Sequence, residues 1–139
     1  MRKTKLVIDH EIEDSIIGLV TTLKDYKLAW HINQVFKIDL VMQQPLILEF
    51  LKGADLEITY FAYVSEFKQF KLVKNKSLEE NTGHLIPELI NFDYFLMVNG
   101  EEEIISNDSV IQGLHKIEGI EYFQLIDVSI LKSKDNFLF

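Results

Sequence analysis

A run of apolar residues from Phe92 to Val98 constrains the fold of this chain more than any other feature. Successive side chains of a strand point to opposite faces, so an extended run of this kind is apolar on both sides. A strand with two apolar faces must be covered on both. We therefore predict a central strand with packing layers above and below its sheet. One face would carry Phe92, Tyr94, Leu96 and Val98, and the other Phe95 and Met97.

A proline stands shortly before that run. Pro87 fixes its own φ angle, lacks a backbone N–H and disfavours helical geometry at Ile86. The Ile86-Pro87 step therefore predicts a stiff turn that leads into the strand. Asp93 is a carboxylate inside the apolar pattern, and a buried charge is costly unless it is paired. We expect Asp93 to lie at the start of the strand or to find hydrogen-bond donors.

Glu88 and Asp93 are the best candidate pair of carboxylates in the chain. Two carboxylates in different environments can divide acid and base work, or hold a hard cation such as Mg²⁺. His84, four residues before Glu88, could join them as a ligand or a base. The alternative, which we favour, is structural: both carboxylates satisfy N–H groups of the loop and the turn, or pair with Lys74 and Lys76. Glu88, Asp93 and His84 are thus ligand-binding candidates, and no catalytic residue or metal ligand is assigned.

The clearest helix is predicted from about residue 25 to residue 36, where apolar side chains recur every three or four positions. Asp25 is placed to cap its start. Tyr26 and Trp30 fall on the opposite face, one turn apart. We favour a loop or the C-terminal tail as the cover for this aromatic pair. The alternative is a face that docks a partner or a second copy, because Trp and Tyr dominate interface hot spots.

The other elements follow from alternation and turn signals. Residues 15–23 fit either a strand or a helical stripe, and we favour the strand because β-branched residues are enriched there. Residues 55–64 and 67–74 alternate in a way that predicts an antiparallel hairpin. Further predictions are a short strand at 5–8, an irregular stretch at 41–53, a helix at about 108–117 capped by Ser106 or Asp108, a last strand at 120–127, and a tail at 131–139 that docks back on the body.

This order of elements predicts a single α+β domain over residues 1–139, a length that suits one core. We expect a single, mostly antiparallel sheet of about four to six strands with two main helices. The order from Phe92 to Asp127 is similar to the closing half of ferredoxin-like, ACT-type domains. A longin- or roadblock-like sheet with helices is the alternative. Such an analogy of fold says little about function.

Charge and composition disfavour several functions. The net charge of −8 repels nucleic-acid phosphates and anionic membranes. The chain has no cysteine, and its four histidines lack the spacing of a zinc hydrolase. No run reaches the roughly 18 apolar residues of a membrane span, and no apolar signal core follows the basic first five residues. We expect a cytoplasmic protein without cofactor, nucleic-acid partner or membrane, and we lean against an enzyme.

The turn and the strand together carry a family resemblance. Ile86-Pro87-Glu88, three residues, and then Phe92-Asp93-Tyr94 resemble the motif of the IPExxxVDY family of small bacterial proteins. The stretches at 24–30 and 131–136 look like that family too, so the likeness spans nearly the whole chain. Phe92 departs from the motif, where the family has valine, but it keeps the strand character. The resemblance implies no activity, cofactor or catalytic residue, because none is assigned in that family.

Three functional hypotheses follow. The first is a non-enzymatic cytoplasmic binding or interaction module that self-associates, with Tyr26 and Trp30 on the contact face. The second is a small-molecule or metal-binding regulatory domain that uses the region of Glu88 and Asp93. The third and weakest is an acid–base enzyme that uses these two carboxylates with His84.

Overall fold

The computed structural model describes residues 12–48, 55–78, 83–101 and 103–139. The described residues form two α-helices, α1 (Asp25–Phe36) and α2 (Asn107–His115), and the predicted α+β class is confirmed. The strand predicted at residues 5–8 lies outside the described residues. The strands are β1 (Ser15–Thr21), β2 (Val41–Met42), β3 (Leu46–Leu48), β4 (Leu56–Ile58), β5 (Tyr60–Val64), β6 (Lys68–Lys74), β7 (Tyr94–Gly100) and β8 (Ile120–Leu125).

Among the described residues, the main sheet has six strands in the order β2-β5-β6-β7-β1-β8, and every neighbouring pair is antiparallel. β7 lies in the interior between β6 and β1, as the apolar run predicted. Because β7 and β8 both pair antiparallel with β1, they are parallel to each other, and α2 connects them. β6 and β1 are parallel for the same reason, with β7 between them. If β2 to β5 are set aside, the remaining elements occur along the chain as β1-α1-β6-β7-α2-β8. This is the β-α-β-β-α-β order of the ferredoxin-like pattern.

The segment between α1 and β6 adds strands to that pattern. The predicted strand at 55–64 is two strands, because the chain leaves one sheet and joins another at Thr59. β4 pairs with β3 in a separate two-stranded sheet, whereas β5 pairs with β6 in the main sheet. The prediction of a single sheet is therefore wrong. The described part of the stretch expected to be irregular, residues 41–48, contains β2 and β3.

Both faces of the main sheet are covered, as the two apolar faces of β7 require. Tyr94, Leu96 and Val98 pack under α1 and α2. Phe95 and Met97 pack on the other face, in a second core shared with β4, the turn before β7 and the C-terminal tail. Phe92 was expected on the same face as Tyr94, Leu96 and Val98, but it is half-buried and packs against the second core on the opposite face. It precedes the first residue of β7, so the alternation of a strand does not govern its direction.

Both predicted helices and the predicted strand β1 are confirmed, with shifted ends. The N-cap of α1 is Lys24, and Asp25 is the first helical residue, so the predicted Asp25 cap is wrong by one position. The N-cap of α2 is Ser106, whose hydroxyl oxygen accepts a hydrogen bond from the Ser109 N–H (3.2 Å). α2 ends at His115, two residues before the predicted end. None of the described helices is long and apolar enough to cross a membrane.

Candidate functional site

The segment from Leu85 to Asp93 forms the turn that leads into β7. Residues 87–89 make one 3₁₀ turn with Pro87 in its first position. A missing N–H costs little there, because the first N–H groups of a helix have no partner within it. Leu85 and Ile86 are fully buried in the second core, whereas Pro87 and Glu88 are exposed. The turn is therefore fixed by its first two residues and presents the next two to solvent.

The side chain of Asn75, directly after β6, holds this turn together. Its Nδ2 donates hydrogen bonds to the carbonyl oxygens of Leu89 (3.0 Å) and Phe92 (2.9 Å). Its Oδ1 accepts a hydrogen bond from the Ile86 N–H (2.9 Å). The Asn75 side chain is fully buried. One amide thus supplies partners for three backbone groups of the turn, which fixes the conformation of the turn against the sheet.

The backbone of Asn75 adds two further bonds. Its N–H donates to the Asp93 carbonyl (3.0 Å), and its carbonyl accepts from the Leu85 N–H (2.6 Å). Sequence reasoning did not find this residue. Asn75 lies ten positions before Leu85, and no local pattern signals a contact across that distance. The only available signal was an asparagine at the end of a strand, which more often indicates a turn.

The carboxylate of Glu88 bonds to the C-terminal tail. Its Oε2 accepts a hydrogen bond from the backbone N–H of Ser133 (2.8 Å). This bond stabilises the ionised carboxylate and holds the pKa of Glu88 below its ordinary value. Nearby, Nδ2 of Asn136 donates to the carbonyl of Leu85 (2.8 Å). The tail is therefore joined to the turn by two hydrogen bonds, one of which depends on the charge of Glu88.

The carboxylate of Asp93 bonds to the end of β1. Its Oδ2 accepts a hydrogen bond from the Thr21 N–H (2.9 Å), and its own N–H donates to the Leu19 carbonyl (2.8 Å). Asp93 is exposed, so the carboxylate keeps contact with water. The expectation that Asp93 lies at the start of the strand and finds donors is confirmed. Its bond continues the pairing of β1 with β7 beyond the last ladder pair.

Tyr94 follows Asp93 and points into the helix-side core. Its hydroxyl donates a hydrogen bond to the carbonyl of Leu23 (3.0 Å), and the residue is buried. This burial, and after it the negative charges of Asp25 and Asp93, raise the pKa of Tyr94 to about 12. The neutral phenol is therefore the form that the folded protein prefers, and it ties β7 to the segment before α1.

We predict that Tyr94 makes stability fall at alkaline pH. The folded-state pKa of about 12 exceeds the roughly 10 of an unfolded chain. The contribution of the phenol is therefore complete below pH about 10 and is lost as pH rises toward 12. Tyr94→Phe should lower the free energy of unfolding by about 1 kcal/mol at pH 7, because the Leu23 carbonyl loses its donor. The variant should also lose less stability than the wild type as the pH becomes alkaline.

Urea unfolding of both proteins between pH 7 and pH 11 checks this. The gap between wild type and Tyr94→Phe should narrow as pH rises above about 10. A gap that stays constant over the whole range would contradict the prediction, because it would mean that ionisation of Tyr94 does not oppose folding.

The three ligand-binding candidates make separate contacts. Glu88 bonds to the tail and Asp93 to β1. His84 is half-buried and lies opposite Lys76 in an isolated antiparallel bridge. Among the described residues, no group of three His, Asp or Glu side chains is arranged to hold a metal ion. A ligand site at these residues stays a prediction. The two carboxylates accept hydrogen bonds from backbone N–H groups of the tail and of β1, whereas we expected the donors to be the loop, the turn or the lysines.

Tyr26 and Trp30 lie on the outer face of α1 with 63% and 55% of their surface exposed. With Lys27 they line a shallow surface groove. The tail does not reach this face, because its aromatic side chains pack on the opposite side of the sheet. There Phe137 meets Phe95 edge-on, with ring centroids 5.2 Å apart. Within the described chain, the expectation that a loop or the tail covers the aromatic pair is therefore wrong.

The turn and the tail, two of the stretches that carry the family resemblance, are in contact, and the third stretch begins beside a contact of Tyr94. Glu88 of the turn bonds to Ser133 of the tail, and Tyr94 bonds to Leu23, which directly precedes the stretch at 24–30. Comparison of the chain with protein-family models, with curated proteins and with solved structures found no match. The resemblance to the IPExxxVDY family stays a prediction.

Proposed function

We propose that this protein is a non-enzymatic interaction module that self-associates through the outer face of α1. The observation that carries the proposal is the exposure of Tyr26 and Trp30, two large aromatic side chains one turn apart on that face. Tyrosine and tryptophan are enriched among the residues whose truncation costs most at protein interfaces. Neither ring contributes to the core of the protomer. Its cytoplasmic location stays a prediction from the sequence.

The bonding of the two carboxylates supports a non-enzymatic role. A general acid or base must reach the proton that it transfers. Glu88 and Asp93 instead accept hydrogen bonds from the backbone N–H groups of Ser133 and Thr21, which hold two separate chain segments in place. Removing either carboxylate would therefore first affect how these two segments are held in the fold. These residues serve the scaffold that presents α1.

The charge of the chain shapes how two copies would meet. With a net charge of −8, two copies repel each other at low ionic strength. An association that overcomes this repulsion must rest on apolar contact, which the aromatic pair provides. A two-fold contact uses the same surface twice, so Tyr26 and Trp30 of one copy would face those of the other. We expect association to strengthen as salt screens the repulsion.

Trp30 is the only tryptophan in the chain, so its fluorescence reports on this face alone. We expect a red-shifted emission at high dilution and a blue shift as concentration rises. Sedimentation equilibrium should show a mass that approaches twice the 16.3 kDa of the chain over the same range. Tyr26→Ala keeps Trp30 as the reporter and should raise the dissociation constant of the dimer by about tenfold or more.

Phe67→Ala is the matched control, because Phe67 is as exposed as Trp30 but lies outside α1. It should leave both measurements unchanged. A chain that stays monomeric at millimolar concentration, with a constant Trp30 emission, would contradict the proposal. So would an association that Tyr26→Ala and Trp30→Ala do not weaken.

A further inference from the structure

No strand of the described residues pairs with the outer side of β8. In the described part of the chain, β8 pairs only with β1, at the end of the main sheet. The Ile126 N–H donates to the Ile16 carbonyl (2.8 Å), which fixes the side that each residue presents to β1. Hydrogen-bonded and non-bonded pairs alternate along an antiparallel ladder. The backbone groups of Tyr122 and Gln124 therefore face β1, whereas those of Phe123 and Leu125 face outward.

This edge lacks most of the protection that natural edges carry. Edge strands are commonly blocked by lysine, proline, short length or a bulge. β8 has six residues, without lysine or proline. Its register shifts only opposite Val20 and Thr21, so the stretch around Phe123 and Leu125 stays regular. β2, at the other end of the main sheet, has only two residues. β8 is therefore the edge better suited to accept an added strand.

An apolar groove adjoins this edge on the helix side of the sheet. The groove lies between α2 and β8 and has a volume of about 380 Å³. It is lined by the apolar Leu114, Ile117, Ile120 and Phe123 together with His115, Glu121 and Tyr122. The ring of His115 stands edge-on to Phe123, with centroids 4.8 Å apart, at its rim. Side chains of an added strand point alternately to the two faces of a sheet. Every second residue of such a strand would therefore reach the groove.

The charges along the edge indicate the chemistry of the occupant. Between residues 118 and 127 the charged side chains are Glu118, Glu121 and Asp127, all of them exposed and acidic. The nearest basic residue toward the N-terminus is Lys116, at the end of α2. Together with the net charge of −8, this pattern favours a basic occupant over a second, equally acidic copy.

We propose that β8 binds an extended segment of a partner protein as a seventh strand of the main sheet. The segment is apolar at alternating positions and carries lysine or arginine at its flanks. Its backbone pairs with the outward groups of Phe123 and Leu125, its apolar side chains enter the groove, and its basic flanks meet the acidic residues. Main-chain bonds and alternate side-chain pockets are the two elements of such strand addition. This surface is separate from the face of α1, so the inference does not depend on self-association.

A synthetic fluorescent peptide, Lys-Lys-Val-Thr-Val-Thr-Val-Lys-Lys, serves as the probe. Its anisotropy should rise and saturate on titration with the full chain. Leu125→Pro removes the outward N–H and should weaken binding by about tenfold or more, while the bonds to β1 are kept. Leu125→Ala, the matched control, keeps that N–H and should bind within about threefold of wild type. Glu121→Lys should also weaken binding.

Amide exchange of the wild-type chain tests the same inference without any variant. The N–H groups of Phe123 and Leu125 should exchange quickly in the free protein and slowly with the probe bound. Those of Tyr122 and Gln124, already bonded to β1, should change little. Absence of saturable binding, equal weakening by Leu125→Ala and Leu125→Pro, or protection confined to α1 would overturn the proposal. A fall in oligomer mass caused by Leu125→Pro would identify a second copy as the occupant and would overturn it too.

Discussion

Asn75→Ala is expected to lower the free energy of unfolding by about 3 to 5 kcal/mol, because it leaves several buried backbone groups without partners. The amide of Asn75 is fully buried and bonds to the Ile86 N–H and to the carbonyls of Leu89 and Phe92. Alanine cannot replace any of these bonds. The variant would therefore leave buried polar groups of the turn before β7 unpaired. The burial of Leu85 and Ile86 does not offset that loss of free energy.

Urea unfolding of Asn75→Ala beside Asn99→Ala provides the measurement and its control. Nδ2 of Asn99 donates to Oδ1 of Asp14 (2.9 Å), but Asn99 is only half-buried, so water can replace that partner. We expect a loss of about 1 kcal/mol or less for Asn99→Ala. If the two variants lose similar amounts of stability, the amide of Asn75 does not hold the turn.

Asn75→Asp separates the donor from the acceptor role of the same side chain. The carboxylate keeps an oxygen for the Ile86 N–H but places a second oxygen against the carbonyls of Leu89 and Phe92. Burial and these carbonyls would raise the folded-state pKa of the new carboxyl group above its unfolded value. The deficit relative to wild type should therefore be largest at neutral pH and shrink as pH falls below that raised pKa.

The sequence predicted the central strand well because its information is local. The two apolar faces of β7 come from consecutive apolar residues. A strand of this kind is stable only in the interior of a sheet that is covered on both faces. The same holds for α1, whose buried Leu28, Ala29 and Ile32 recur at helical spacing. Local periodicity also favoured a strand for residues 15–23, where β1 forms.

Features that depend on distant contacts were not predicted. The break at Thr59 follows from where Leu56 and Ile58 find apolar partners, and those partners include Val73 and Leu85, far along the chain. The role of Asn75 depends on bonds across 11 to 17 positions. Neither feature has a local sequence signature, because an apolar alternation and a strand-end asparagine are each compatible with several arrangements.

The role of Glu88 and Asp93 could not be predicted from the sequence for the same reason. Their spacing was compatible with chemistry, but it was equally compatible with two hydrogen bonds to backbone N–H groups. Which reading holds depends on whether Ser133 and Thr21 approach them, and that is set by the tail and by β1. Through these two carboxylates, the turn is hydrogen-bonded to both the tail and β1.

Phe137→Ala should have the second large effect, because the tail is part of the second core. Phe137 is 2% exposed and packs edge-on against Phe95 of β7. Removing a buried phenylalanine ring costs about 3 to 5 kcal/mol. The lower end is expected here, because Phe137 lies in a short 3₁₀ turn outside the sheet, which can relax into the space more easily than the middle of a strand.

The loss should extend from the tail to the turn. Phe137 holds in place the segment whose Ser133 N–H bonds to Glu88 and whose Asn136 bonds to Leu85. Hydrogen exchange should therefore quicken at the Ser133 amide in Phe137→Ala, while the amides of β1 that pair with β7 keep their protection. Leu138→Ala, at a neighbouring residue that is 42% exposed, should change neither stability nor exchange appreciably. If Phe137→Ala costs no more than this control, the tail lies on the sheet without stabilising it.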